Sequence, residues 1–103
     1  MDEQTKQKIS QMINSNKIFL FMKGTPNEPA CGFSNQAVNL IQKHTNQLKT
    51  FNILSDNNIR QAVKEYSNWP TYPQLYVNNK LIGGCDIIKE LEETDQLKEI
   101  LLS

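Results

Sequence analysis

A run of five apolar residues, Ile18–Met22, constrains the fold of this chain more than any other segment. The run has no polar residue on either face, which is typical of a strand buried on both sides. Apolar residues recur at helical spacing over residues 3–15 before it and over residues 32–45 after it, so both segments are predicted to be amphipathic helices. The pattern therefore predicts a sheet with helices on both faces.

The remaining segments complete an α/β order of elements. Strands are predicted at 49–54, 74–77 and 80–83, a helix at 57–67 behind a cap at Asp56, and a last helix that begins at Asp86 and is interrupted near Thr94. The first two strands should be parallel because a helix connects them, and the last two should form a hairpin. We therefore expect a four-stranded mixed sheet flanked by helices, with an extra N-terminal helix.

Length and charge exclude several classes of protein. The 103 residues suffice for one domain, which we expect to span residues 1–103. Eleven basic residues balance eleven acidic ones, which argues against nucleic-acid binding.

A bilayer span needs about 20 apolar residues, so no membrane segment is expected. Two cysteines do not make the disulfide framework of a secreted domain, and the N-terminus does not resemble a signal peptide. We expect a cytoplasmic location.

Cys31 is the first candidate for chemistry. It lies where the first strand leads through a loop into a helix, so free backbone N–H groups and the positive end of a helix dipole should surround its sulfur. Both features favour a thiolate, and Lys23 at the end of the strand adds a positive charge. Gly32 leaves room for a ligand. We favour a reactive thiol; the alternative is a buried cysteine that serves as a small hydrophobic residue.

The spacing around Cys31 narrows its chemistry. Residues 31–34 are Cys-Gly-Phe-Ser, whereas a dithiol oxidoreductase needs a second cysteine at the position of Ser34. Either a second thiol comes from elsewhere, or the thiolate serves as a metal ligand. Phe33 is expected to pack inward and hold the helix. His44, the only histidine, is assigned to the C-terminal end of this helix, where the dipole favours it, rather than to a metal site.

Cys85 stands in a Gly-Gly-Cys-Asp segment at residues 83–86. The two glycines permit a close approach of backbones, so this segment is a candidate edge for binding a peptide. The Cys85 sulfur either packs inside the protein or forms a disulfide with Cys31, if the fold brings the two together.

A rigid corner is predicted at residues 69–73, Trp-Pro-Thr-Tyr-Pro. A cis peptide before its second proline would leave backbone groups free to pair with an extended peptide. Trp69 is expected in the core. Arg60 and Lys64 lie one helical turn apart and can form, with Lys23, a basic patch for a carboxylate.

Four motifs occur in register along the chain: Lys-Gly-Thr-Pro at 23–26, Cys-Gly-Phe-Ser at 31–34, Trp-Pro-Thr-Tyr-Pro at 69–73 and Gly-Gly-Cys-Asp at 83–86. Together they resemble the monothiol, CGFS-type glutaredoxins in their short single-domain form. The resemblance implies a thioredoxin-like fold, which agrees with the order of elements above.

The resemblance also implies a glutathione site. The glycyl carboxylate of glutathione would be held by Lys23 and Arg60, its cysteinyl residue by the Tyr72 backbone beside a cis Pro73, and its γ-glutamyl end by Gly84, Cys85 and Asp86. Relatives carry various apolar residues at the position of Tyr72, and a contact through the backbone tolerates that difference.

The family further implies a 2Fe-2S cluster that bridges two subunits. Each subunit would supply the Cys31 thiolate and one bound glutathione, which agrees with the four thiolates that such a cluster normally takes. The implied partners are a second copy of the chain when the cluster is bound, a BolA-like protein, and apo iron-sulfur proteins that receive the cluster.

Three functions remain open at this point. The favoured one is glutathione-dependent binding and transfer of 2Fe-2S clusters, with a role in iron homeostasis. The alternative is a monothiol oxidoreductase that removes glutathione from mixed disulfides, with Cys31 as the nucleophile. A scaffold domain with an inert thiol is the third.

Overall fold

The computed structural model describes residues 1–103, and its elements follow the predicted order. The helices are α1 (Glu3–Asn14), α2 (Gly32–Gln42), α3 (Asn57–Ser67), α4 (Cys85–Glu93) and α5 (Leu97–Leu102), and the strands are β1 (Ile18–Met22), β2 (Leu48–Asn52), β3 (Gln74–Val77) and β4 (Lys80–Gly83). None of the helices has the length and apolar character that crossing a membrane requires.

The four strands form one mixed sheet in the order β2-β1-β3-β4. β1 and β2 are parallel, with Ile18 opposite Leu48 and Met22 opposite Asn52, as the crossover through α2 requires. β3 is antiparallel to both β1 and β4. The predicted sheet and its flanking helices are confirmed.

The apolar run of β1 is buried along its whole length and divides between two cores. Ile18, Leu20 and Met22 pack under α2, α4 and α5, whereas Phe19 and Phe21 pack under α1 and α3. Alternation of side chains along a strand produces this division. The two cores hold helices against both faces of the sheet and so fix where α2 and α4 begin.

Residues that tolerate positive φ make the sharp turns. Asn78 and Asn79 have φ of 51° and 69°, as a tight two-residue hairpin between β3 and β4 requires. Asn68 ends α3 with φ of 52°, and Asp95 separates α4 from α5 with φ of 60°. The predicted interruption near Thr94 is therefore confirmed.

The predicted end of β2 and the predicted start of the last helix are wrong. β2 ends at Asn52, because the Asn52 side chain accepts a hydrogen bond from the Leu54 N–H at 3.0 Å and starts a short 3-10 helix, Ile53–Ser55. α4 begins after Gly84, and Asp86 lies in its first turn rather than capping it. The Asp86 carboxylate nevertheless lies at the positive end of the helix dipole.

Candidate active site

Cys31 is the N-cap residue of α2, and its side chain is partly exposed. Its sulfur accepts a hydrogen bond from the Ser34 N–H, with 3.4 Å between Sγ and N. The extended backbone at Cys31 turns into the helix at Gly32. The thiol therefore lies at the N-terminus of a helix, as the sequence predicts.

The loop between β1 and α2 returns the chain to the end of β1. The Ala30 N–H donates to the Lys23 carbonyl at 2.9 Å, and Thr25 and Glu28 exchange backbone hydrogen bonds at 3.1 Å. Gly24 makes this possible, because it has φ of 90° and a Cβ there would lie 2.4 Å from the Glu28 oxygen. The loop thus places Cys31 beside Lys23.

Ser34 connects these two residues. Its side chain is fully buried, and its Oγ accepts from the Lys23 N–H at 3.1 Å and lies 3.5 Å from the Cys31 sulfur. Burial alone would raise the pKa of Cys31, but hydrogen bonds from the Ser34 hydroxyl and from the Ser34 and Phe33 backbones, together with the Lys23 charge, outweigh it. The pKa of Cys31 is therefore lowered, which favours the thiolate.

A groove of about 570 Å³ runs from Lys23 to the start of α4. Its lining comes from α2, α3, the corner before β3 and the first turn of α4: Lys23, Phe33, Arg60, Lys64, Trp69, Pro70, Thr71, Tyr72, Gly84, Cys85, Asp86 and Ile87. Six of the seven binding residues suggested by the resemblance line it. Pro73 is the exception, and it lies directly behind the wall.

The groove combines charged residues from helices on both faces of the sheet. Lys23, Arg60 and Lys64 give one part of the lining three cationic side chains, and Asp86 with the N-terminus of α4 forms another part. Arg60 has a buried Nε without a hydrogen-bond partner in the chain. The arrangement suits an elongated ligand that carries a carboxylate at one end and mixed charge at the other.

The corner at residues 69–73 presents free backbone groups. The Tyr72–Pro73 peptide is cis, as the sequence suggested. The Tyr72 N–H and C=O make no hydrogen bond within the chain, while its buried side chain donates from Oη to the Arg60 carbonyl at 2.7 Å. A Cβ on Gly84 would lie 3.2 Å from the Pro73 oxygen, so glycine lets this corner approach α4 closely.

Cys85 is buried, and both cysteines are free thiols. Its sulfur donates a hydrogen bond to Gln36 Oε1 at 3.3 Å. Burial raises the pKa of Cys85, and the neighbouring Asp86 raises it further. The two thiols therefore differ: Cys31 is partly exposed with a lowered pKa, and Cys85 is buried with a raised pKa.

Two aromatic side chains lie elsewhere than predicted. Phe33 is 62% exposed and lines the groove, because Ser34 takes the inward position at the start of α2. Trp69 also lines the groove, and its buried Nε1 has no hydrogen-bond partner in the chain. Lining by Thr71 and Ile87 was not predicted: Thr71 belongs to the predicted corner but was given no role there, and nothing in the sequence marks Ile87.

His44 lies beyond the end of α2, which stops at Gln42 instead of residue 45. Its Nε2 lies 2.7 Å from Glu92 Oε1, and Lys43 Nζ lies 2.7 Å from Glu92 Oε2. Hydrogen bonds from Lys43 and then His44 lower the pKa of Glu92. The partner of His44 is thus a carboxylate on α4, and this contact joins the two helices.

The strand order, the cysteine at the start of α2 and the corner before β3 define a thioredoxin-like protein with one cysteine at the N-terminus of α2. The family model described as Glutaredoxin matches residues 18–82. Glutaredoxin-3 of Homo sapiens is 53% identical over 93 residues, and a ycf64-like monothiol glutaredoxin of Synechocystis sp. is 46% identical over 101 residues. The chain belongs to the glutaredoxin family, in its monothiol group.

Solved structures agree with this assignment. Reduced apo GrxS14 of poplar has a TM-score of 0.80 and 41% identity, with 91% of this chain and 86% of that chain covered. The matched region covers 90% of this chain but 28% of human Glutaredoxin-3, whereas it covers 98% of this chain and 94% of the Synechocystis protein. The chain therefore spans less than a third of some curated relatives and nearly all of another.

Proposed function

We propose that the groove binds glutathione and that the protein carries 2Fe-2S clusters. The observation that supports this most directly is the pair formed by Cys31 and Ser34: one partly exposed thiol with a lowered pKa, and a buried hydroxyl where a second thiol would be needed. Such a site can bind a metal or attack a disulfide, but it cannot close a local disulfide.

The groove fits a peptide with the charges of glutathione. Lys23, Arg60 and Lys64 can receive the glycyl carboxylate, and the free Tyr72 N–H and C=O can pair with the cysteinyl residue as an added strand would. The N-terminus of α4 and Asp86 can receive the α-carboxylate and α-amino group of the γ-glutamyl end. This pose would direct the glutathione sulfur towards Cys31.

The donor set of one chain is too small for a cluster. No group of three or more His, Cys, Asp or Glu side chains is placed to hold a metal ion, and Cys85 is buried and protonated. A 2Fe-2S cluster normally takes four thiolates. Two Cys31 thiolates from two chains and two glutathione thiolates complete that number, so the residues present fit a shared cluster. A BolA-like protein in place of one chain, apo iron-sulfur proteins as recipients and a cytoplasmic location belong to the same proposal.

Anaerobic reconstitution with iron, sulfide and glutathione tests the proposal. We expect a coloured dimer with two iron atoms per pair of chains. Cys31→Ser should abolish both colour and dimer, whereas Cys85→Ser should still bind iron. A matched sample without glutathione should stay colourless and monomeric. A folded Cys31→Ser variant that bound its full complement of iron would overturn the ligand assignment.

The competing function is deglutathionylation by Cys31. It uses the same acidic thiol and the same groove, and it needs no dimer. A monomer that forms no cluster under these conditions yet turns over a glutathionylated peptide rapidly would favour the enzyme.

A further inference from the structure

Gln74 is a fully buried polar residue at the start of β3, and it makes three hydrogen bonds. Its Nε2 donates to the Trp69 carbonyl at 3.0 Å and to the Thr71 carbonyl at 3.2 Å. Its Oε1 accepts from the Tyr76 hydroxyl at 3.2 Å. The side chain thus joins the corner at residues 69–73 to the central sheet.

The chemistry of these bonds restricts the residue. The position needs two N–H donors directed at two carbonyls and one acceptor directed at a hydroxyl, all on a neutral side chain. A primary amide supplies this combination, whereas a buried carboxylate would place an oxygen against the two carbonyls. An apolar side chain would leave those groups without partners.

The corner in turn forms one wall of the groove. Trp69, Thr71 and Tyr72 all line it, and the Tyr72 hydroxyl is bonded to the Arg60 carbonyl on α3. Gln74 lies behind this wall and does not line the groove. The two carbonyls that it holds are those of Trp69 and Thr71. The Thr71 carbonyl belongs to the same planar peptide unit as the free Tyr72 N–H, so a bond to this carbonyl also orients the N–H.

We propose that Gln74 is a positioning residue for the ligand groove, which orients the corner so that the Tyr72 backbone faces the ligand. The proposal rests on the proposed function, since it assumes that the groove binds glutathione. The Gln74 side chain would act on ligand binding without touching the ligand, because its two hydrogen bonds hold the wall of the groove.

Trp69 provides a direct readout because it is the only tryptophan in the chain. Gln74→Glu and Gln74→Met each remove both amide N–H donors to the corner. The first introduces a carboxyl group, and the second does not. We expect the ligand-free emission of Trp69 to move to longer wavelength, its quenching by acrylamide to increase, and the affinity for glutathione, measured by calorimetry, to fall about tenfold.

Tyr76→Phe is the matched control. It removes the hydrogen bond at the other end of the same amide and keeps both bonds to the corner. We expect it to lower the thermal midpoint, as the Gln74 variants do, while Trp69 emission and glutathione affinity stay close to wild type. Thermal unfolding of each variant confirms that it is folded at the temperature of the measurements.

The outcomes separate this proposal from the proposed function. Folded Gln74 variants with wild-type emission and affinity, or a Tyr76→Phe variant that loses affinity equally, would overturn the positioning role. Wild-type protein that fails to bind glutathione overturns the proposed function, and the ligand-free Trp69 emission still tests whether Gln74 holds the corner.

Discussion

The Ser34 hydroxyl lies between a backbone N–H and the reactive sulfur. It accepts from Lys23 at 3.1 Å, and its distance of 3.5 Å to Cys31 Sγ allows it to donate to a thiolate. A thiolate is a stronger acceptor than a thiol, so this contact favours the charged form. Ser34 therefore occupies the position of a resolving thiol and also stabilises the Cys31 thiolate.

Lys23→Ala tests the electrostatic part of this arrangement. Removal of the positive charge should raise the pKa of Cys31, and by less than loss of the Ser34 hydrogen bonds would, because those bonds contribute more than the charge. Thiolate absorbance in the ultraviolet measures it as a function of pH. Lys6→Ala, on α1, serves as the control for a lost lysine.

The sign of the pH dependence follows from the lowered pKa. Cys31 contributes stability above the pKa of the unfolded chain, and this contribution is lost as the pH falls through the lower, folded value. Reactivity towards a neutral alkylating reagent should fall over the same range. A midpoint at or above the ordinary cysteine value would contradict the assignment, and Cys85 should titrate separately at higher pH.

Which single residues could be predicted depends on what fixes them. Cys31 and Lys23 follow from chain order, because a strand end and the following helix start are neighbours in an α/β fold. Phe33 was predicted to point inward, but Ser34 takes that position. An apolar pattern cannot show that a hydroxyl at the start of a helix finds hydrogen-bond partners inside the protein. Trp69 was wrongly predicted in the core, because the corner that carries it is held by hydrogen bonds from the Gln74 side chain, which apolar spacing does not reveal.

At the scale of elements, α3 supplies cationic side chains and depends on its cap. Asp56 Oδ1 accepts from the Ile59 N–H at 3.1 Å, and Arg60 follows in the next turn. The Arg60 carbonyl receives the Tyr72 hydroxyl, so the helix is joined to the opposite wall of the groove. Fraying of its first turn would therefore move a ligand contact.

A pair of cap variants tests this dependence. Asp56→Ala and Asp2→Ala each remove an N-cap acceptor, the first from α3 and the second from α1. Each should lower the free energy of unfolding in urea titrations, by about 1 kcal/mol for Asp56→Ala. Affinity for glutathione should fall in Asp56→Ala alone, because α1 contributes no residue to the groove. Equal affinities in the two variants would show that the cap does not support the site.

Helices and strands were predictable because their apolar spacing is a physical requirement of burial. β1 is buried on both faces, and its side chains alternate between two cores. The apolar run Ile18–Met22 meets this requirement as a strand. The 3-10 helix after β2 was missed, since it depends on hydrogen bonds to the Asn52 side chain from both Gly24 and Leu54. Such contacts across the fold are invisible to a local pattern.

At the scale of the whole molecule, the proposed cluster needs more thiolates than one chain supplies. The groove offers three cations and a free backbone edge, and Cys31 lies beside one of those cations, Lys23. Ser34 stands where a local resolving thiol would be needed. Completion comes either from a second chain and glutathione around a cluster, or from a second glutathione that resolves a mixed disulfide. The two outcomes differ in how long the first glutathione should stay bound.

A site that keeps glutathione suits cluster ligation, whereas a site that releases it suits turnover. One bound glutathione occupies the groove and neutralises part of its positive charge, so a second anionic molecule is attracted less. We therefore predict that the protein reduces a glutathionylated peptide slowly but transfers a cluster readily to an apo-ferredoxin. Rates measured beside a dithiol glutaredoxin under matched conditions, together with cluster transfer followed by absorbance, test both halves.

Ser34→Cys supplies the missing thiol at the position that faces Cys31. Because Ser34 Oγ lies 3.5 Å from the sulfur, a thiol there can attack the mixed disulfide and release glutathione, with Cys31 and the new cysteine becoming oxidised to a disulfide. Peptide reduction should then accelerate at least about tenfold. Cluster yield should fall because a disulfide with the introduced thiol withdraws the Cys31 thiolate from the cluster. If the wild-type protein reduces the peptide as fast as the dithiol enzyme and yields no cluster anaerobically, the proposed carrier function is wrong and the reductase function is favoured. An unchanged rate in a folded Ser34→Cys variant would mean that the resolving thiol is not what limits turnover.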